Sequence, residues 1–251
     1  MKKLLAFTLA ETLIVMGVIG IVSALTLPNL NSSTGDKEKV AKVKKIYQNL
    51  SDAYGRAEAI YGPLPDWFVN DNTQASQITR FGERLTEFTK NQKICGYVQT
   101  DGACWTPGPT KYINGSNWGS LGMGLGTFYK FILADGTPVA IIVPQSTSWS
   151  GNDGVVTVYF DIDGTTKGKN TLGKDVFGFS ILAPNGHYEI YPGGERDIGN
   201  ETNFKDKCWN ADGCGCMAWV LQNDNMDYLK LDSQGKCPNG TILSWSNTSC
   251  K

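Results

Sequence analysis

Histidine is almost missing from this chain: His187 is the only one in 251 residues. An imidazole base or a centre built on several histidines therefore has almost no raw material. Charge is scarce as well, at 19% Asp, Glu, Lys and Arg, and nearly balanced, with a formal net charge of -1. That balance gives no basic surface by count, and no nucleic-acid partner is predicted. No G-x-S-x-G, Walker A or H-E-x-x-H pattern occurs, so the sequence predicts no enzyme. No cysteine precedes Cys95, and no apolar run of membrane length follows Pro28.

What is present is a chain long enough for one domain with an appendage or two small domains. Its 29 glycines and 11% aromatics point to a loop-rich, strand-rich body. The seven cysteines all lie in loop-like sequence downstream of one apolar segment, as expected in an oxidising, exported setting. An odd count leaves at least one unpaired within a monomer. That apolar segment, residues 7–30, would cover ~36 Å as a helix and so span a hydrocarbon core of ~30 Å. Lys2 and Lys3 precede it and orient that end toward the cytoplasm, leaving the rest outside. An ordinary secretory signal would look similar, with Val22-Ser23-Ala24 as its cleavage site and a mature start near Leu25. Glu11 argues against it, because an acid within an apolar helix costs roughly 2.5–3.5 kcal/mol at the centre and a disposable signal has no need of it.

The run Ala6-Phe7-Thr8-Leu9-Ala10-Glu11-Thr12-Leu13-Ile14-Val15-Met16 resembles the N-terminal signature of type IV pilins and type II secretion pseudopilins. The resemblance covers about the first thirty residues. It implies cleavage between Ala6 and Phe7 by a prepilin peptidase, N-methylation of Phe7, and a carboxylate at Glu11 that neutralises the Phe7 amine of a neighbouring subunit. It implies other pilin or pseudopilin subunits, an inner-membrane assembly platform and membrane lipid as partners. The expected location is the bacterial inner membrane through a single-pass N-terminal helix, with an extracytoplasmic head, and then the pilus or pseudopilus.

The expected fold is α+β and pilin-like: a long N-terminal helix, part membrane segment and part amphipathic, packed on an antiparallel sheet of about four to five strands. The expected divisions are a leader at 1–6, a membrane or filament-core helix at 7–30, its amphipathic continuation at 31–61, and a head at 62–251. Val40, Val43, Ile46, Tyr47, Leu50, Tyr54, Ala57 and Tyr61 recur at helical spacing, and Gly62-Pro63 stops the helix. Ile78, Phe81, Leu85 and Phe88 suggest a second helix. The head divides into an insertion at 62–126, irregular from Cys95 onward, a sheet at 127–191 and a cysteine-rich tail at 192–251. Phe128–Ala134 with Thr137–Val143, then Val155–Ile162, then Val176–Leu182 with His187–Tyr191, supply the strands.

Asp161, Asp163 and Asp175, with loop carbonyls or Asn170, are candidate calcium ligands, although the spacing is not that of an EF-hand. Turn capping by the same aspartates is the competing reading. No other cofactor is required. For the cysteines, disulfides are favoured over zinc, because Cys214-Gly215-Cys216 is too tight for a structural zinc knuckle. The expected pairs are Cys95 with Cys104, Cys208 with Cys216 or Cys214, and, echoing the C-terminal loop of many pilins, Cys237 with Cys250. Residues 216–222 read as a short helix capping the sheet. Taken together, the sequence predicts a filament subunit, with two alternatives. One is a minor or tip pilin whose Trp-rich insertion, Cys95 to Trp149, contacts a surface, DNA or glycan; the other is a secreted domain with an ordinary signal peptide. Trp105, Trp118 and Trp149 read equally as a set that binds sugar or a surface and as buried core residues.

Overall fold

A computed structural model describes residues 9–69, 73–100, 102–117, 127–143, 156–166, 170–182, 188–192, 208, 215–232 and 234–250, leaving aside the side chains of residues 11 and 23–34. The chain divides into two compact units, Met1–Lys39 and Val40–Lys251.

The first unit is helical. Helix α1, Leu9–Tyr61, is 53 residues long and begins here. Between Leu9 and Val22 its large apolar side chains are open to solvent, from Val15 and Val22 at 53% to Leu9 at 80%. Among the described residues no helix is long and apolar enough to cross a membrane. The expected membrane half of the helix, and with it the single-pass inner-membrane anchor, is corrected accordingly.

The second unit is built on a six-stranded antiparallel sheet, order β1-β2-β3-β4-β5-β6, in which every strand pairs only with its neighbours in sequence. The strands are β1 Asn91–Val98, β2 Phe128–Leu133, β3 Pro138–Ile142, β4 Val156–Asp161, β5 Val176–Leu182 and β6 Glu189–Pro192. The expected sheet of four or five strands is thus corrected to six, because β1 lies where an irregular insertion was expected. Its side chains do not alternate between buried and exposed, and its pairing with β2 is broken at Asn91/Lys93 and Ile94/Gly96. An edge strand with such irregularities carries no period of two to read.

Register places Phe131 opposite Val139, Val139 opposite Phe160 and Phe160 opposite Phe177. These residues share one face with Tyr129, Ile141, Val158 and Phe179, as the two-residue repeat of strands requires. Against this face lie Val43, Ile46, Leu50, Ala53, Tyr54 and Ala57 of α1, all buried in the same apolar cluster. Tyr47 meets Phe179 edge-on at 5.5 Å. Gly62, at φ +78, ends the helix in a left-handed residue that glycine adopts without strain. Beyond it a 3-10 turn, Leu64–Phe68, buries Trp67 against Phe81 at 5.5 Å.

Helix α2, Gln74–Thr86, is started by a capping box in which Thr73 Oγ1 accepts from Ser76 N and Ser76 Oγ accepts from Thr73 N. It extends the layer over β1 and β2. Helix α3, Gly215–Asn223, packs on β5 and β6 and buries Met217, Trp219 and Val220.

The opposite face of the sheet is also covered. Phe128, Ala140, Tyr159 and Val176 pack there with Trp105 and Leu172, with Tyr112 half-buried at the margin. Residues 102–117 therefore act as a lid on the second face. Sheet faces buried on both sides read as near-continuous apolar runs, and Val176–Leu182 has that character.

Candidate functional site

The second face ends at a pair of buried acids. Asp161 closes β4 on the same side as Tyr159, and Asp175 stands just before β5. The Asp161 carboxylate accepts from Asp163 N through Oδ1 at 2.8 Å, and from Thr106 Oγ1 through Oδ2 at 3.3 Å. Thr106 belongs to the lid and also contacts Gly164 O at 2.9 Å. Asp175 accepts from Thr171 N through Oδ1 at 2.5 Å, while its backbone carbonyl accepts from Ile162 N at 2.8 Å. Asn170 Nδ2 donates to Thr106 O at 3.0 Å, and the backbone of Lys111 bonds both Asn170 O and Leu172 N. One polar seam therefore ties lid, β4 and the β4–β5 connection together.

Burial dominates the electrostatics of this seam. It raises Asp161 to about 7, the charges of Asp175 and Asp163 adding to the rise while the Asp163 amide and Thr106 hydroxyl oppose it. Burial likewise raises Asp175 to about 6, with Asp163 adding to the rise and the Thr171 and Val176 amides and the Lys174 charge lowering it. Such carboxyls bind protons near neutrality. At 1% and 5% exposure, neither presents its group to an outside reactant in this conformation.

The three expected calcium ligands are brought into one neighbourhood but not into a shell. Both oxygens of Asp161 and one of Asp175 are engaged by protein donors, and these close turns. Among the described residues no group of three or more His, Cys, Asp or Glu is arranged to hold a metal ion. Calcium coordination needs six to eight oxygens free to converge. Asn170 Oδ1 is buried without a hydrogen-bond partner, as are Thr110 Oγ1 and Trp105 Nε1 in the lid. Thr106, which sequence reasoning passed over, is the residue that links the acids to the lid. A threonine in a Pro- and Gly-rich stretch carries no signal of that role.

Three disulfides are present: Cys95–Cys104, Cys208–Cys216 and Cys237–Cys250. Each could add roughly 2–4 kcal/mol by restricting the unfolded chain. Cys214 lies outside the described residues, as do His187, Trp118 and Trp149. Of the two readings of Trp105, a binding surface and a core residue, the structure shows the second: it is fully buried between the lid and the sheet.

At the N-terminus, Ala6 and Phe7 lie outside the described residues, and so does the side chain of Glu11. The described part of that segment shows a helix without internal cover for its apolar side chains. No protein-family model, curated protein or solved structure matches the chain.

Proposed function

We propose that this protein is a filament subunit of the prepilin type, processed between Ala6 and Phe7 and packed through the N-terminal part of α1 against the same helix of other copies. The observation that supports this most directly is the exposure of Leu13, Ile14, Val15, Met16, Val18, Ile19, Ile21 and Val22, consecutive enough to surround the helix. A helix that is apolar all round is stable only when buried all round, at roughly 25 cal/mol per Å² removed from water. Copies of one chain supply matching surfaces, and a helix that repeats in register can bury every side of itself. In such a core a lone carboxylate is costly, and the Phe7 amine of a neighbour provides Glu11 with a counter-charge. The second unit, with its closed disulfides and its two covered sheet faces, is the head that such a filament displays.

N-terminal mass spectrometry of the mature protein from its native host tests the reading. A methylated Phe7 start is expected. A start near Leu25 would remove the segment that carries the proposal and overturn it.

A further inference from the structure

Gly173 occupies an unusual junction in the second unit. Its φ is +80, and a β-carbon built on it would lie 2.4 Å from Cys216 Sγ, 2.9 Å from Cys216 Cβ and 3.1 Å from Ile113 Cδ1. The backbone of the β4–β5 connection therefore runs flush against the Cys208–Cys216 disulfide, both of whose residues are buried. The carbonyl of the same glycine accepts the buried hydroxyl of Tyr228 at 2.6 Å. Tyr228 follows Asp227, whose carboxylate accepts from Cys250 N at 2.8 Å and Ser249 Oγ at 3.1 Å, and Cys250 is bonded to Cys237. Both C-terminal disulfides thus end on one residue, one by direct contact and the other through Asp227 and Tyr228.

Within residues 171–176 the connection's own hydrogen bonds are crowded onto few acceptors. The amides of Lys174, Asp175 and Val176 all converge on Thr171 O, at 3.1, 3.2 and 3.1 Å, and the Thr171 amide returns to the Asp175 carboxylate. One carbonyl shared by three donors makes a weak fold on its own, since each such bond contributes about 1 kcal/mol net against backbone entropy of about 1–2 kcal/mol per residue. External support comes from the end of β4 through Ile162 N on Asp175 O, from the lid through Lys111 and Thr106, and from the tail through Cys216 and Tyr228.

We infer that the C-terminal disulfides form an oxidation-dependent seat for the β4–β5 connection, so that residues 170–176 reach their native geometry only after Cys208–Cys216 has closed. In the reduced chain the two sulfurs must part to non-bonded separation, and Gly173 leaves no room on its side for that movement. Closure takes one hydrogen from each thiol. Two electrons and two protons pass to a disulfide oxidant such as oxidised glutathione, which departs as two thiols. The head is then complete only in an oxidising setting, whatever the helix packs against.

Amide hydrogen exchange on the full chain tests this. In the Cys208→Ser/Cys216→Ser protein, the amides of Thr171, Lys174, Asp175 and Val176 should exchange about tenfold faster or more, with those of β2 to β4 unchanged. Wild-type exchange at these amides would overturn the inference, and so would an equal rise across the whole sheet. Should that double variant not fold, Cys208→Ala/Cys216→Val, which keeps the buried pair apolar without the bond, decides the matter. Faster exchange confined to the same amides supports the seat, and wild-type rates overturn it.

Discussion

The ring of Tyr129 fills the place where a side chain on Gly82 would begin: a β-carbon there would sit 2.2 Å from the ring carbons. Helix α2 lies on β2 at this point with nothing between backbone and aromatic face. Gly82 is helical with no positive φ, so its conformation alone would favour alanine by about 1 kcal/mol. Gly82→Ala should nonetheless destabilise the head by about 1–3 kcal/mol, because overpacking outweighs propensity. Urea unfolding checks it, and a stabilised variant would show that α2 can slide.

Acidity should stabilise the head. Asp161 and Asp175 bind protons more tightly folded, at about 7 and about 6, than at the ordinary 3.8. As pH rises above about 4 the unfolded chain gives up these protons first, and stability declines until both folded carboxyls have ionised near pH 7. The melting temperature should therefore rise as pH is lowered from 8 to 5. In Asp161→Asn that rise should shrink, since the larger of the two shifts is gone.

Calcium should leave the melting temperature unchanged, with or without chelator, because the oxygens of Asp161 are occupied by the Asp163 amide and the Thr106 hydroxyl. An increase of several degrees that vanishes in Asp161→Asn would reassign the acids to cation binding.

Trp105→Ala should cost about 3–5 kcal/mol, the range for emptying a large aromatic site in a core. A binding tryptophan on the surface would lose ligand affinity with little change in stability. Thermal melting distinguishes the two.

Ile14→Asp and Ile19→Asp should abolish filaments seen by electron microscopy while leaving the circular dichroism of the head intact. Both side chains are exposed in the single chain, at 67% and 59%, so neither change removes an internal contact. Filaments that persist in both variants would exclude helix packing as the assembly force.

The parts legible in the sequence are those with a strong period. Val43, Ile46, Leu50, Tyr54 and Ala57 recur at helical spacing and are buried together, and the Asp135-Gly136 turn lies between β2 and β3. What could not be read depends on contacts distant along the chain. Strand β1 is recognisable only through its partner β2, and the choice between an exposed and a buried Trp105 is made only when residues 102–117 fold onto the second face. For Asp161 and Asp175 the sequence offers both a cation and turn capping, and the bonds from Asp163 N and Thr171 N are of the capping kind. The contact from Thr106, 55 residues before Asp161 in the chain, carries no local signal. The membrane segment failed differently: apolar composition announced it, but among the described residues no helix is long and apolar enough to cross a membrane.

The sheet joins each strand only to its sequence neighbours, which gives the head an assembly order. A chain emerging N-terminus first can lay down α1, then add one strand at a time from the β1 edge, never waiting for a distant partner. The last pieces to arrive are Cys216, Tyr228 and Cys250, which bear on a connection whose flanking strands are already in place. Folding by that route ends with a latch, and a chain truncated before its tail would carry a finished sheet with its β4–β5 connection unfastened.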